Sequence, residues 1–114
     1  LGDVYKRQRQ TNYREQFDLC VSRAVANLST LSEYCLPYIR VGGIFISYKS
    51  GSIEDELQSS KKAVKILGGV IEKTVKFQLP GTEIGRSFVK IKKEEQTKKK
   101  YPRKAGLPSK EPIL

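Results

Sequence analysis

At 114 residues the chain has room for one domain or a piece of one, and its 22 lysines and arginines against 12 acids leave a net charge of +10. Charge this far from neutral favours a polyanionic partner, either nucleic acid or an anionic membrane surface. The absence of histidine excludes a Ser-His or Cys-His nucleophile pair and speaks against zinc or any other metal centre, and no apolar run approaches the roughly 20 residues that span a bilayer.

The opening Leu1-Gly2-Asp3-Val4-Tyr5-Lys6-Arg7-Gln8 shows neither a hydrophobic period nor a cap, nor the apolar core of a secretory signal. Residues 1–8 read as a non-native leader, 9–96 as the folded body and 97–114 as a basic tail. A polar stretch from Arg9 to Gln16 leads into the first predicted strand, Phe17 to Ser22, a short apolar run that ends abruptly in Ser22-Arg23-Ala24. That is how a buried parallel strand empties into a loop, and ligands of open α/β sheets bind outside such carboxyl ends. A helix follows over about Asn27 to Arg40, with Asn27 as N-cap, Leu28, Leu31, Cys35 and Tyr38 or Ile39 on its apolar face, and Pro37 loosening its last turn. Gly42-Gly43 is predicted to stop it. Cys20 in the strand and Cys35 in the helix read as buried free thiols rather than a disulfide.

Ile44 to Lys49 is the second predicted strand, ending in Lys49-Ser50-Gly51. Ser52 is the expected cap of a second helix to about Leu67, with Glu54, Asp55 and Glu56 in the first turn, where they favour the dipole. Ile53, Leu57, Ser60, Val64 and Leu67 form its inward stripe, and Gly68-Gly69 ends it. Val70 to Leu79 and Arg86 to Lys93 are two further strands, joined by a Pro80-Gly81 turn segment short enough for an antiparallel hairpin. The order β-α-β-α-β-β predicts an α/β fold with parallel strands and one antiparallel strand at the end.

The tail holds Lys98, Lys99, Lys100, Arg103, Lys104 and Lys110 against Glu111, half of the net charge. Pro102, Pro108 and Pro112 favour an extended strap over a helix. With Tyr101 among them, these cations suit a phosphate backbone and a stacked base, or else form a solvated basic end. Arg23 and Lys49 end neighbouring strands and Arg86 begins the antiparallel one. The three either converge as an anion site on one rim or simply end strands in solvent. No G-x-G-x-x-G or P-loop is present, and helix-start electrostatics account for Glu54, Asp55 and Glu56. The tail lacks the bulky apolar face of a membrane-surface helix, so no membrane partner is expected.

Ser22-Arg23-Ala24-Val25-Ala26, the helix after it, and Lys99-Lys100-Tyr101-Pro102-Arg103-Lys104-Ala105-Gly106-Leu107-Pro108 closely resemble the carboxyl-terminal half of the small-subunit ribosomal RNA methyltransferase G family, also called glucose-inhibited division protein B. The resemblance runs from about Tyr13 to the end. It implies a Rossmann-like fold, S-adenosylmethionine as cofactor, and methylation of N7 of a guanine in the 530 loop of 16S rRNA in the bacterial cytoplasm. It implies a cofactor-site role for Arg23 and matches Lys49, Arg86, Lys99, Lys100, Arg103 and Lys104 to family positions; with Lys98 and Tyr101 from the tail's own composition, these are the expected RNA contacts. The family's glycine-rich loop would lie upstream of residue 1, and its Arg-Ala-Glu-Asp stretch is replaced by the leader, where Asp3 is the acid present. The implied object is a fragment with part of the cofactor site, inactive by itself and with a bare apolar edge at the strand containing Leu19. The competing expectation is a small basic RNA-binding α/β module without enzyme activity.

Overall fold

The computed structural model describes residues 14–23, 26–50, 53–78, 80–82 and 85–113. The expected leader at 1–8 and the expected cap Ser52 lie outside these residues. Strand β1 (Phe17–Ser22) passes through helix α1 (Leu28–Cys35) and a 3-10 turn (Leu36–Tyr38) to β2 (Ile39–Ser50). Helix α2 (Glu54–Ile66) leads to the hairpin of β3 (Gly69–Gln78) and β4 (Gly85–Lys93), and a one-turn helix α3 (Leu107–Lys110) closes the tail.

The four strands form one sheet in the order β1-β2-β4-β3. β1 pairs parallel with β2, and β4 pairs antiparallel with both β2 and β3. β3 therefore runs in the direction of β1 and β2 while β4 is inserted between them. Burial explains that insertion. Ser87, Val89, Ile91 and Lys93 of β4 are all fully buried, as a central strand requires, whereas β3 is half-exposed along its length. Alternation splits the sheet into two faces. Phe45, Val89 and Ile91 face α1 and α2 and meet Leu28, Leu31, Leu36, Val64 and Leu67 in the core. Leu19, Val21, Tyr48, Val70 and Phe77 are the large apolar side chains left exposed on the other face.

The first helix is shorter than its sequence suggests. Pro37 has no N–H to donate, and the α-helix ends at Cys35 with a 3-10 turn that carries the proline near its start. The chain is already extended at Ile39, so Gly42 and Gly43, expected as a helix stop, lie within β2. They make an irregularity there: two steps on β1, Phe17 to Leu19, match five on β2, Ile39 to Ile44. Gly42 takes φ +91°, and a Cβ on Gly43 would stand 2.8 Å from the Asp18 carbonyl oxygen.

β1, expected as a buried strand, leaves Leu19 and Val21 about half exposed, because among the described residues it is an edge strand paired with β2 alone. Other local expectations hold. Asn27 caps α1 by accepting the Ser29 N–H at 2.8 Å. Ile53, Ser60, Val64 and Leu67 are buried along α2, with Leu57 packed against them. Gly68, at φ +92°, turns the chain between α2 and β3. Cys20 and Cys35 are free thiols, but of the two expected to be buried Cys20 is only half-buried; the hydrogen bond from Cys35 lowers the pKa of Cys20, and that bond together with burial raises Cys35 well above the usual range.

The tail departs from an extended strap, because its backbone is tied to the body. Arg14 donates to the carbonyls of Tyr101 (2.6 Å), Thr97 and Lys98 (both 3.3 Å), and Thr97 donates from its N–H to Glu15 and from its hydroxyl to the Leu67 carbonyl. Gly106 then takes φ +87°, and Pro108, at the start of α3, accepts a 2.8 Å hydrogen bond from the Thr30 hydroxyl. The segment thus runs along α1, from the end of the sheet where β1 begins to the first turn of α1.

Candidate functional site

The carboxyl ends of β1, β2 and β3 and the amino end of β4 make one rim of the sheet, as the pairs Ser22 with Ser47, Ser50 with Arg86 and Gln78 with Gly85 fix. Arg23 follows the last residue of β1 and is exposed there. Arg86 stands two strands away, about 10 Å at ordinary strand spacing. It is half-buried, and its Nη1 donates to the Gly85 carbonyl at 3.1 Å.

Lys49 shares the rim and points to the other side. Its register partner is the buried Ser87, so it faces the helices, and its side chain is 7% exposed. Its Nζ sits 2.8 Å from Glu56 Oε2 and donates to the Ala26 carbonyl. The same Glu56 oxygen accepts the Leu28 N–H at 2.8 Å. Lys49 and Glu56 therefore bind the end of β2 to the starts of both helices. The three rim cations do not form one cluster: Arg23 and Arg86 remain at the surface, while the charge of Lys49 is met from within.

The tail cations divide similarly. Lys98, Lys99 and Lys100 are exposed at the end of the sheet where β1 begins, about 20 Å from the rim by the length of a six-residue strand. Lys100 Nζ lies 5.3 Å from the centre of the Tyr101 ring, and that ring is buried in the core cluster. Arg103 grips Glu33 on α1: Nε reaches the two carboxylate oxygens at 3.2 and 3.0 Å, Nη2 reaches one at 2.8 Å, and the backbone N–H of Arg103 adds a fourth bond at 2.7 Å. The Glu33 carboxylate raises the Arg103 pKa above its usual value. Lys104 is exposed. The RNA-facing expectations for Lys98, Lys99, Lys100 and Lys104 thus fall on open side chains, and those for Lys49, Tyr101 and Arg103 on groups engaged inside the protein.

Sequence reasoning missed the residues that hold this arrangement. Glu33 is the only acid in α1, and a lone acid on a helix otherwise apolar or hydroxyl-bearing, in a chain with a basic tail, was a usable signal. Lys93 left a weaker one. It ends β4 in alternation with Val89 and Ile91, and it is fully buried, donating to the carbonyls of Leu36 (2.6 Å) and Ile39 (2.9 Å) with Glu15 at 3.2 Å.

A methyltransferase cofactor would meet one wall here. Arg23, an exposed cation at the carboxyl end of a parallel strand, fits a carboxylate such as that of an amino-acid group. Among the described residues no glycine-rich loop follows a strand to supply a second wall.

Comparison with known proteins bears on the fold and the family. The family model described as rRNA small subunit methyltransferase G matches residues 3–85. The ribosomal RNA small subunit methyltransferase G of Acetivibrio thermocellus is 54% identical over 102 residues, covering 90% of this chain and 42% of that protein. The protein of the same name from Lachnoclostridium phytofermentans is 45% identical over 113 residues, covering 99% and 47%. The chain thus spans less than half the length of these relatives. Among solved structures, the crystal structure of the M1.HpyAVI-SAM complex superposes with a TM-score of 0.63 at 11% identity, over 83% of this chain and 51% of the other, which supports the fold. The β1-β2-β4-β3 sheet with its cationic rim is part of a methyltransferase fold, and the chain belongs to the rRNA small subunit methyltransferase G family.

Proposed function

We propose that this chain forms part of an S-adenosylmethionine-dependent enzyme that methylates N7 of a guanine in the 530 loop of 16S rRNA, acting on the small ribosomal subunit in the bacterial cytoplasm. The family match over residues 3–85, which contain Arg23, carries this reading. In it, S-adenosylmethionine supplies an electrophilic methyl group on a sulfonium centre. Arg23 binds the cofactor's carboxylate at the end of β1. Arg86, Lys98, Lys99, Lys100 and Lys104 neutralise RNA phosphates. Lys49 and Arg103 serve the same surface from beneath: Lys49 holds the end of β2 against Glu56, and Arg103 holds the tail against Glu33. Tyr101 anchors the tail in the core. Guanine N7 has a lone pair and no proton to remove, so no general base is assigned. Holding it in line with the methyl group provides most of the rate.

The 114 residues on their own are expected to bind RNA and to transfer no methyl group. The test is a chimera in which this chain replaces the matching part of the Acetivibrio thermocellus relative, assayed on small-subunit rRNA for 7-methylguanine by chain cleavage at the modified base. One modified guanine in the 530 loop, lost with Arg23→Ala, is the expected result. A folded chimera that binds rRNA and methylates nothing would instead favour the non-enzymatic RNA-binding module. Methyl transfer by the isolated chain would overturn the assignment of its inactivity.

A further inference from the structure

The loop that carries Arg23 is hung at both ends on one strand. Ser22, the last residue of β1, pairs in register with Ser47 of β2. Ala26 gives its carbonyl to the Nζ of Lys49, two residues further along β2. Residues 23–25 lie between these anchors. Beyond Ala26 the chain is fixed again. Glu56 Oε2 accepts the Leu28 N–H at 2.8 Å, and the Asn27 side chain accepts the Ser29 N–H at 2.8 Å. Lys49 and Glu56, themselves 2.8 Å apart, thus grip the chain on either side of Asn27. The choice of residue is informative. Lysine is seldom buried, and taking its charge out of water is costly unless partners replace the water. Joining β2 to α2 needs no more than the contact with Glu56. The bond to the Ala26 carbonyl is a charge-assisted one, stronger than a neutral bond, and it is directed at the loop. Lys49 is 7% exposed between the sheet and the two helices, so the grip depends on no open surface.

We infer that Lys49 and Glu56 are positioning residues for the cofactor: by pinning Ala26 and Leu28 they fix the path of the loop from Ser22, and with it the placement of Arg23 for the carboxylate of S-adenosylmethionine. A guanidinium meets a carboxylate in a fixed fork geometry, so its backbone must be held for the pair to form. A loop free to take other paths binds more weakly in proportion to the time it spends on them. The inference rests on the reading of Arg23 as the partner of the cofactor's carboxylate. It adds the residues that set Arg23 in place, and it gives the buried Lys49 a task at the cofactor rather than at RNA.

The first arm of the test needs no cofactor. Hydrogen exchange of the full chain should show the amides of residues 23–28 exchanging about tenfold faster in Lys49→Met than in the wild type, with β4 unchanged, because a hydrogen bond to a charged group shifts a local equilibrium by at least that factor. Lys49→Met combined with Glu56→Gln leaves no unpaired buried charge and should show the same loosening if the single variant does not fold. The second arm uses the chimera and calorimetric titration. Lys49→Met should weaken S-adenosylmethionine by about tenfold and add nothing to Arg23→Ala, since a pin that acts through Arg23 then has nothing left to place. Affinity for 5′-methylthioadenosine, which lacks the amino-acid carboxylate, should stay at the wild-type value, whereas a general loosening of the fold would weaken both ligands. Unchanged exchange in the loop, additive losses from the two substitutions, or an equal loss for methylthioadenosine overturns the inference. Arg23→Ala that binds S-adenosylmethionine as the wild type does overturns the cofactor reading and the carboxylate half of the inference, and the exchange arm then still decides whether Lys49 pins the loop.

Discussion

Replacing Arg103 with methionine keeps an unbranched apolar stem and removes the guanidinium. The loss falls on Glu33, whose side chain is 1% exposed and which takes three side-chain hydrogen bonds from Arg103 at 2.8–3.2 Å. In the variant this carboxylate stays buried with the Arg103 backbone N–H as its remaining donor from the tail. Removing one partner of a buried pair costs about 3–5 kcal/mol. Arg103 itself is 25% exposed, which puts the expected loss at the low end, about 3 kcal/mol. Domains of this size are stable by about 5–15 kcal/mol, so the fall is a large share of the total. It corresponds to a decrease in Tm of roughly 10–20 °C. Urea unfolding should show the midpoint moving with m unchanged. Glu33→Gln should cost less, about 1.5–3 kcal/mol, because it leaves no buried charge. Combining Arg103→Met with Glu33→Leu should recover most of the loss, since the orphaned charge is gone. If Arg103→Met alone unfolds within about 0.5 kcal/mol of the wild type, the range of ordinary surface substitutions, the pair does not hold the tail and the reasoning fails.

Three further outcomes follow from other parts of the molecule. Gly68→Ala should destabilise by more than about 1–2 kcal/mol in thermal unfolding, because the left-handed φ is strained for alanine and its Cβ would sit 2.2 Å from the Glu95 carbonyl oxygen; a neutral result would mean the turn can relax. Burial pulls the Lys93 pKa below its usual 10.5, with Glu15 opposing. Folded Lys93 therefore gives up its proton before the unfolded chain does, and stability rises as pH climbs from the lowered value to 10.5. Urea unfolding of wild type and Lys93→Met over that window should show the wild type gaining on the variant, and a constant difference would refute the shift. Lys98→Gln, Lys99→Gln and Lys100→Gln together should reduce the salt dependence of RNA binding by about 0.7 for each phosphate no longer neutralised, without unfolding the chain; an unchanged slope would remove these cations from the interface.

Much of this protein was legible from residue spacing. Asn27 before an apolar helical face, three acids at the start of α2, Gly68 at its end and the alternation in β4 each act through neighbours within a turn or two, so the local chain settles the outcome. The strand end at Arg23 was legible for the same reason. The first helix and β2 show where spacing fails. Helical periodicity continues through Tyr38 and Ile39, but Pro37 and the pairing of Ile39 with Phe17 on β1 decide in favour of a strand. The insertion of β4 between β2 and β3 is likewise a matter of long-range pairing that no local signal specifies. The fate of each charge was decided last. Lys49 and Arg103 read in the sequence as cations of a ligand surface or a solvated end, and each, like Lys93, is turned inward by a carboxylate or carbonyl from a distant segment. A buried charge needs a partner, and which partner stands opposite is set by tertiary packing. Sequence alone thus determined the elements, the excess of positive charge and the family. The tertiary structure decided which cations stay exposed, Arg23 and Lys98 to Lys100 among them, and which are met from within, as Lys49 is by Glu56 and Arg103 by Glu33.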